Sequence, residues 1–106
     1  MAKYLIVASY TSPGVKGVIA KGGTARREAV EKMVADLGGH LESFYFGFGD
    51  ADAFVTVDLP DNIAAAAIGL AVGASGMATT RTVVLLTPEE IDRAAATSIN
   101  YAPPGS

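Results

Sequence analysis

His40 is the one histidine of this sequence, and the sequence contains no cysteine. An imidazole titrates near neutral pH, so His40 is the candidate general base and the candidate ligand for a metal or haem. The common zinc sites need further imidazoles or thiolates, which this sequence lacks. His40 also opens a predicted strand directly after two glycines, where a solvated histidine is the alternative. We therefore predict no metal and no cofactor, and base catalysis would rest on His40.

Two arginine positions are candidates for holding an anion. Arg26 and Arg27 follow a Gly-Gly-Thr segment in the first turn of a predicted helix, where backbone N–H groups attract anions but cations oppose the helix dipole. Arg81 lies between two threonines within a predicted strand, where it needs a carboxylate such as Asp58 or an anionic ligand. The alternatives are a solvated or ion-paired surface for Arg26 and a structural salt bridge or dimer contact for Arg81.

Two tyrosines are candidate ligand contacts because a phenol offers both a stacking surface and a hydrogen bond. Tyr10 ends the first predicted strand, and Tyr45 lies within the second. Asp50 and Asp52 could bind a divalent cation, but aspartate is also a common turn residue, and we interpret both as turn formers. The predicted ligand-binding residues are therefore Tyr10, Arg26, Tyr45 and Arg81.

Composition limits the classes of protein to which the chain can belong. The sequence has 106 residues, half of them apolar and 18% charged, with a net charge of −3. This length predicts one domain over residues 1–106, and the apolar content excludes intrinsic disorder. The chain lacks the basic excess of a nucleic-acid-binding protein. Its longest apolar run, residues 63–74, is too short to span a membrane, so we expect a cytoplasmic protein.

Periodicity and turn residues divide the chain into short elements. Alternating β-branched and aromatic residues predict strands, and apolar residues spaced at i, i+3 and i+4 predict helices. Helix starts are indicated by Ser12 before Pro13, by Thr24, and by a capping box from Thr87 to Glu90. The predicted strands cover residues 3–10, 40–48, 53–59 and 77–86; the predicted helices begin near residues 13, 24, 62 and 88; residues 98–106 form an extended tail.

The order of these elements is β-α-β-β-α-β with an additional terminal helix. Two βαβ halves joined by a hairpin match the ferredoxin-like arrangement, an α+β fold. The right-handed crossover rule places both long helices on one face of a four-stranded antiparallel sheet. The opposite face of that sheet then needs an explanation.

Both faces of the predicted sheet are largely apolar. A sheet covered on one side only should have a polar outer face, so an apolar outer face predicts a partner. A second copy packed sheet against sheet satisfies this need, giving a homodimer or higher oligomer; the alternative is that residues 88–106 fold back over the face. Alternation sets Tyr4, Ile6 and Ala8 against Leu5 and Val7, Phe44, Phe46 and Phe48 against Leu41 and Tyr45, and Val83 and Leu85 against Val84 and Leu86.

The sequence resembles the GYD-domain family along nearly its whole length. The family belongs with the dimeric α/β-barrel proteins, so the resemblance implies a ferredoxin-like fold and a dimeric barrel. The motif that names the family is Gly-x-Tyr-Asp, and this chain has Ala51 in place of the tyrosine. The segments that carry the resemblance are residues 3–6 (KYLI), 9–11 (SYT), 22–27 (GGTARR), 46–50 (FGFGD) and 86–90 (LTPEE).

Three functions are consistent with these observations, since a fold alone does not fix a function. The first is a small homo-oligomeric protein that binds a small apolar or anionic molecule in a pocket between sheet and helices. The second, which related dimeric barrels suggest, is a cofactor-free monooxygenase or isomerase with His40 as general base; it requires His40 to point into an enclosed pocket beside Tyr10 or Arg81. The third is a purely structural assembly protein with a filled interior.

Overall fold

Eight elements follow one another in a computed structural model that describes residues 1–47 and 49–105. Phe48, which the sequence predicts in the second strand, lies outside the described residues, as does Ser106. The elements are β1 (Ala2–Tyr10), α1 (Ser12–Lys21), α2 (Gly23–Asp36), β2 (His40–Phe46), β3 (Ala53–Leu59), α3 (Asn62–Ser75), β4 (Ala78–Leu85) and α4 (Pro88–Ala96).

The four strands form one antiparallel sheet in the order β2-β3-β1-β4. β1 and β3 are therefore the central strands, and β2 and β4 are the edges. Helices α2 and α3, which connect β1 to β2 and β3 to β4, both pack on the same side of the sheet. The predicted α+β, ferredoxin-like architecture is confirmed.

The hydrophobic core lies between this side of the sheet and the two long helices. Tyr4, Val57 and Leu59 from the sheet and Val34 from α2 are the largest fully buried side chains. Burial of each aliphatic side chain contributes about 2 kcal/mol, which holds the helices on the sheet. The hydroxyl of Tyr4 donates a hydrogen bond of 2.6 Å to Oδ1 of Asn62, so the one polar group of this set is satisfied.

The predicted helix starts are confirmed at α4 but differ at α1 and α2. The side chain of Thr11, not Ser12, caps α1 by accepting a hydrogen bond from the N–H of Gly14. Thr24 is not a cap, because α2 begins one residue before it. Gly22 ends α1 by donating its N–H to Val18 O at 2.7 Å, and it also precedes α2, with φ of 89° that favours glycine. This tight connection leaves no position for a side-chain cap.

A β-bulge in β2 changes which of its residues share a face. Leu41 pairs with Val57, and Ser43 pairs with Thr56, so Glu42 is the extra residue. Leu41 therefore joins Phe44 on the helix-covered side, and the prediction that it shares a face with Tyr45 is wrong. Alternation alone could not reveal the inserted residue.

The second side of the sheet, which we call the open face, combines apolar and charged residues. Directly paired residues of an antiparallel sheet point to the same face, so the register defines its rows. No described helix covers it, and Tyr45 is 70% exposed. One row contains His40, Asp58, Lys3 and Leu85; the next contains Ser43, Thr56, Leu5 and Val83; and the third contains Tyr45, Phe54, Val7 and Arg81.

The last part of the chain does not cover the open face. Helix α4 has no buried residue, and the tail that follows it is exposed through residue 105. The alternative that residues 88–106 fold back over the sheet is therefore not realised by the described residues of that segment. Among the residues described, no helix has the length and apolar character that crossing a membrane requires.

Candidate functional site

A cavity of about 420 Å³ lies where α1, the first turns of α2 and the end of α3 meet the sheet. It opens to solvent on one side, and we call it the helix-side cavity. Most of its lining is apolar. The residues that surround it are Tyr10, Pro13, Gly14, Gly17, Val18, Lys21, Gly22, Ala25, Arg26, Ala29, Met33, Ala71, Val72, Ser75, Met77 and Ala78.

One wall of the cavity is fixed by contacts between the start of α1 and the turn before β4. The backbone N–H of Thr11 donates to Met77 O at 2.9 Å, and the hydroxyl of Thr11 donates to Gly76 O at 2.7 Å. Gly14 lies so close to this turn that a Cβ at its position would be 1.9 Å from Met77 O. Glycine is therefore required at residue 14 for α1 to reach this position.

Tyr10 reaches the cavity from the end of β1, and Asp52 holds its backbone. The N–H of Tyr10 donates to Oδ2 of Asp52 at 2.8 Å, and the N–H of Asp52 donates to Ala8 O at 2.9 Å. Asp52 thus ties the β2–β3 connection to β1, which agrees with its interpretation as a turn residue. No cluster of three potential metal-ligating side chains occurs within residues 1–47 and 49–105.

The cavity is positively charged at its lining. Lys21 comes from the last turn of α1, and the half-buried Arg26 comes from the first turn of α2. Neither forms an ion pair with another described residue. On the same helix as Arg26, two other cations are paired: Arg27 Nη2 lies 4.0 Å from Glu31 Oε2, and Lys32 Nζ lies 3.3 Å from Asp36 Oδ2. No aspartate or glutamate is among the described lining residues. An anionic group placed here would meet two cations and no opposing charge.

A smaller cavity of about 40 Å³ extends from this site towards the core. It shares Tyr10, Arg26 and Met33 with the helix-side cavity and continues to Phe44 and Ile68. Beyond Tyr10 and Arg26, the lining of the smaller cavity is apolar except for Thr80. A ligand that follows it would place its charged end near Arg26 and its apolar end towards the core.

The structure brings together only two of the predicted site residues, Tyr10 and Arg26. Tyr45 and Arg81 lie on the open face, on the opposite side of the sheet, in the same row at its two edges. Asp58, the proposed partner of Arg81, instead accepts a hydrogen bond of 3.0 Å from Lys3 Nζ. Arg81 is exposed and forms no ion pair with any described residue.

Lys3 is the charged residue near the centre of the open face. Its Nζ donates hydrogen bonds to Glu42 and to Asp58, and these bonds raise the pKa of Lys3 above its ordinary value. Its side chain is 34% exposed, so solvent screens the interaction only in part. Lys3 therefore has its partners within the chain, unlike the two cations of the helix-side cavity.

His40 lies far from these groups at the start of the edge strand β2. It is exposed, and it lines none of the three cavities found among the described residues. Its strand neighbour on the open face is Asp58, and neither Tyr10 nor Arg81 shares its row. The geometric condition for His40 to act as a general base is not met within one chain.

The sequence analysis missed Lys21, Gly14 and the residues of α3 that line the cavity. The Gly22–Gly23 pair carried a usable signal for Lys21, because so short a connection forces the end of α1 beside the start of α2. No local signal could have shown that Gly14 contacts Met77, since the two residues are 63 positions apart.

Comparison with known sequences agrees with the fold and with the segments that line the site. The sequence pattern of the GYD domain matches residues 4–95, which include Tyr10, Arg26 and all of the sheet except the first two residues of β1. No curated protein and no solved structure matches the chain. Ala51 stands where the family motif has tyrosine, while Gly49 and Asp52 keep the other motif positions. With a match over most of its length and the corresponding fold, the chain belongs to the GYD-domain family.

Proposed function

We propose that this GYD-domain protein is a homodimeric binding protein for a small amphiphilic molecule, one with an apolar body and an anionic end. The observation that carries the proposal is the helix-side cavity, with its largely apolar lining and its two cations, which have no carboxylate partner among the described residues. A volume of about 420 Å³ falls within the range of ligand pockets. A monocarboxylate with a short hydrocarbon chain combines the two features that the lining favours.

The charges of the cavity support an anionic ligand rather than a neutral one. An isolated cation at the edge of an apolar cavity gains from a nearby anion more than it would in bulk water, because the local dielectric is lower. Arg26 can bind a carboxylate with two N–H groups at once, and Lys21 adds a second positive charge. The apolar chain would then displace water from the surfaces of Met33 and Val72.

Binding is better supported than catalysis by this cavity. Its described lining contains no histidine and no carboxylate, so no ordinary general base faces a bound molecule. The alternative of a monooxygenase or isomerase with His40 as base has no support from the position of His40. The open cavity also argues against a purely structural protein with a filled interior.

Isothermal titration calorimetry with straight-chain carboxylates of about six to ten carbons, and with the corresponding alcohols, tests this function. We expect the carboxylates to bind more tightly than the alcohols, and Arg26→Gln to weaken carboxylate binding by about tenfold, as loss of a charge-assisted hydrogen bond predicts. Arg27→Gln is the matched control, because Arg27 lies outside the cavity lining. Equal affinities of carboxylates and alcohols, or equal effects of the two variants, would contradict the proposal.

The open face supports the homodimer. Phe54 is exposed on this face and Leu5, Val83 and Leu85 are half-buried, so part of their apolar surface is available to a partner, while Val7 is buried by its neighbours. Packing two copies through this face leaves the helix-side cavity accessible, since the cavity lies on the other side of the sheet. The dimer and the ligand site are therefore compatible.

The charged residues of the open face are also self-complementary. Lys3 and Asp58 are neighbours on the two central strands, while Arg81 and Tyr45 lie at the two edges of another row. A twofold axis parallel to the strands, between β1 and β3, brings Lys3 opposite the partner's Asp58. The same axis brings Arg81 opposite the partner's Tyr45, a favourable cation–π arrangement. No charge is then buried without a partner.

Light scattering coupled to gel filtration tests the dimer. Wild type should have at least twice the monomer mass of 10.8 kDa, and Phe54→Glu should lower the mass by placing an unpaired charge in the interface. Ile19→Glu, an equally drastic change at an exposed residue of α1 on the helix side, is the control. A wild-type monomer at about 100 μM would rule out the open-face dimer, since stable interfaces of standard size bind more tightly.

A further inference from the structure

The C-terminal arm, defined as residues 86–105, projects from the rest of the molecule. All of its residues are exposed except the half-buried Glu90, and α4 contributes none to the core. The Cα radius of gyration is 16.8 Å, whereas a compact chain of this length has about 13 Å. The longest dimension, 56 Å, exceeds the others, 33 and 23 Å, in agreement with a projecting segment.

The arm nevertheless begins with a well-defined helix. The N–H of Thr87 donates to the Glu90 carboxylate at 2.9 Å, and the N–H of Glu90 donates to the Thr87 hydroxyl at 3.1 Å. These bonds lower the pKa of Glu90, and Pro88 fixes the first turn. Helix α4 is amphipathic: Ile91, Ala94 and Ala95 lie on one side, and Glu89, Asp92 and Arg93 lie on the other. Its apolar side has no partner within the described chain.

A groove between α3 and the edge strand β4 offers a matching surface. It has a volume of about 540 Å³, and its lining is uncharged: Leu70 and Val84 are apolar, and Asn62, Thr80 and Thr82 are polar. Ile63 and Leu70, about two turns apart along the same side of α3, are 79% and 75% exposed. Helix α3 contains no charged residue, so a partner that covers it removes no charge from water. We call this surface the α3–β4 groove.

We propose that the C-terminal arm of one copy docks in the α3–β4 groove of a second copy, and that the exchange is reciprocal. The apolar side of α4 then covers the exposed residues of α3, which is the mode in which an amphipathic helix binds a hydrophobic groove. Two copies satisfy both arms and both grooves, and together with the open-face dimer this second interface joins dimers into a larger assembly.

The arm does not reach the groove of its own chain. None of the described residues 86–105 lines the groove of its own chain, and α4 has no buried residue. The groove and the apolar side of α4 are therefore both left uncovered by the described chain, and a second copy supplies each with its partner.

This interface lies apart from both the helix-side cavity and the open face. The groove is bordered by Thr80, Thr82 and Val84, which point to the helix-covered side of β4, whereas Arg81 and Val83 point to the open face. Arm exchange and the open-face dimer are therefore independent, and each can be removed by substitution without affecting the other.

The test uses light scattering on the full chain at about 100 μM, a concentration at which interfaces of standard size are occupied. Ile91→Glu places a charge on the apolar side of the arm, and Leu70→Glu places a charge in the α3–β4 groove. Both residues are exposed in the single chain, so both variants fold. We expect each variant to lose half of the wild-type mass. Arg93→Gln, on the opposite side of α4, changes the net charge by the same amount as Ile91→Glu and should keep the wild-type mass.

Mixing the two variants gives a result that a mere loss of stability would not. The Ile91→Glu variant keeps an intact groove, and the Leu70→Glu variant keeps an intact arm. The groove of the first can therefore accept the arm of the second, so the mixture should have a higher mass than either variant alone. Wild-type mass in both single variants overturns arm exchange, as does a wild-type monomer or a mixture that fails to reassociate. If Phe54→Glu lowers the mass but neither Ile91→Glu nor Leu70→Glu does, arm exchange is wrong and the open-face dimer stands.

Discussion

The two faces of the sheet are made by alternate residues of the same strands, yet they are stabilised differently. On β1, Tyr4 and Ile6 are buried under helices of their own chain, while Leu5 lies between them on the open face. The covered face is almost wholly apolar, whereas the open face also holds Lys3 and Arg81. A face that the chain covers by itself needs only apolar residues, while in the proposed dimer the charges of the open face specify how the partner binds.

The difference between the faces extends to their cations. Lys3 on the open face has two carboxylate partners within the chain, while Lys21 and Arg26 on the helix side have none among the described residues. Surface lysines and arginines lose little without a partner, because water solvates them. At an apolar cavity the same lack of a partner favours a ligand. The open face is thus the face that we propose as the dimer interface, and the helix side is where we propose the small-molecule site.

The largest expected effect compares one leucine from each face. Leu59→Ala removes a fully buried side chain from the covered core and should lower the free energy of unfolding by about 3 kcal/mol. Leu5→Ala removes a half-buried side chain and should cost the single chain about 1 kcal/mol. Urea denaturation at several protein concentrations measures both. Equal losses at low concentration would show that the open face is packed within one chain and would refute the distinction between the faces.

A smaller effect is expected at the close contact that forms the cavity wall. Gly14→Ala places a methyl group against the backbone of Met77 and should cost about 2 kcal/mol, because α1 must move. Gly17→Ala in the same helix has open space around the new methyl group and should stabilise the protein by about 0.5 kcal/mol through helix propensity. Thermal unfolding of the two variants shows whether each substitution lowers or raises the stability of the protein. A neutral Gly14→Ala would mean that α1 is not held against the β4 turn.

The smallest effect concerns the charges at the centre of the open face. The pKa of Lys3 is raised by Glu42 and Asp58, so its stabilising contribution is complete below its ordinary value of 10.5 and is lost as the pH rises through the higher folded value. Wild type should therefore lose more stability between about pH 9 and pH 12 than Lys3→Met, in which this titration is absent. Urea midpoints of the two proteins across this range give the difference. A parallel decline in both would show that the carboxylates do not hold Lys3.

The sequence predicted the elements well because their signals are local. The strands, their order and the capping box at Thr87 all depend on residues within a few positions of one another. Two local predictions were wrong where a neighbouring segment intervened. Thr24 does not cap α2, because the tight connection at Gly22 starts the helix at Gly23. Leu41 lies on the covered face rather than the open face, because Glu42 forms a bulge.

The candidate site was predicted only in part. The sequence singled out Tyr10 and Arg26, and the fold brings both to one cavity. It could not distinguish them from Tyr45 and Arg81, which carry the same chemistry but lie on the other side of the sheet. The choice depends on the register between strands, since one residue of shift would reverse the side to which each of them points.

By itself, the sequence determined the GYD-domain family, the ferredoxin-like order of elements and an apolar residue set too large for one side of one sheet. These properties depend on the local spacing of residues and on composition. Only the tertiary structure decided that α1 closes a cavity with two cations that pair with none of the described residues, that His40 lies outside it and that α4 leaves the body. Each of these depends on contacts between segments that are distant in the chain, such as Gly14 with Met77, whose energies no local pattern encodes.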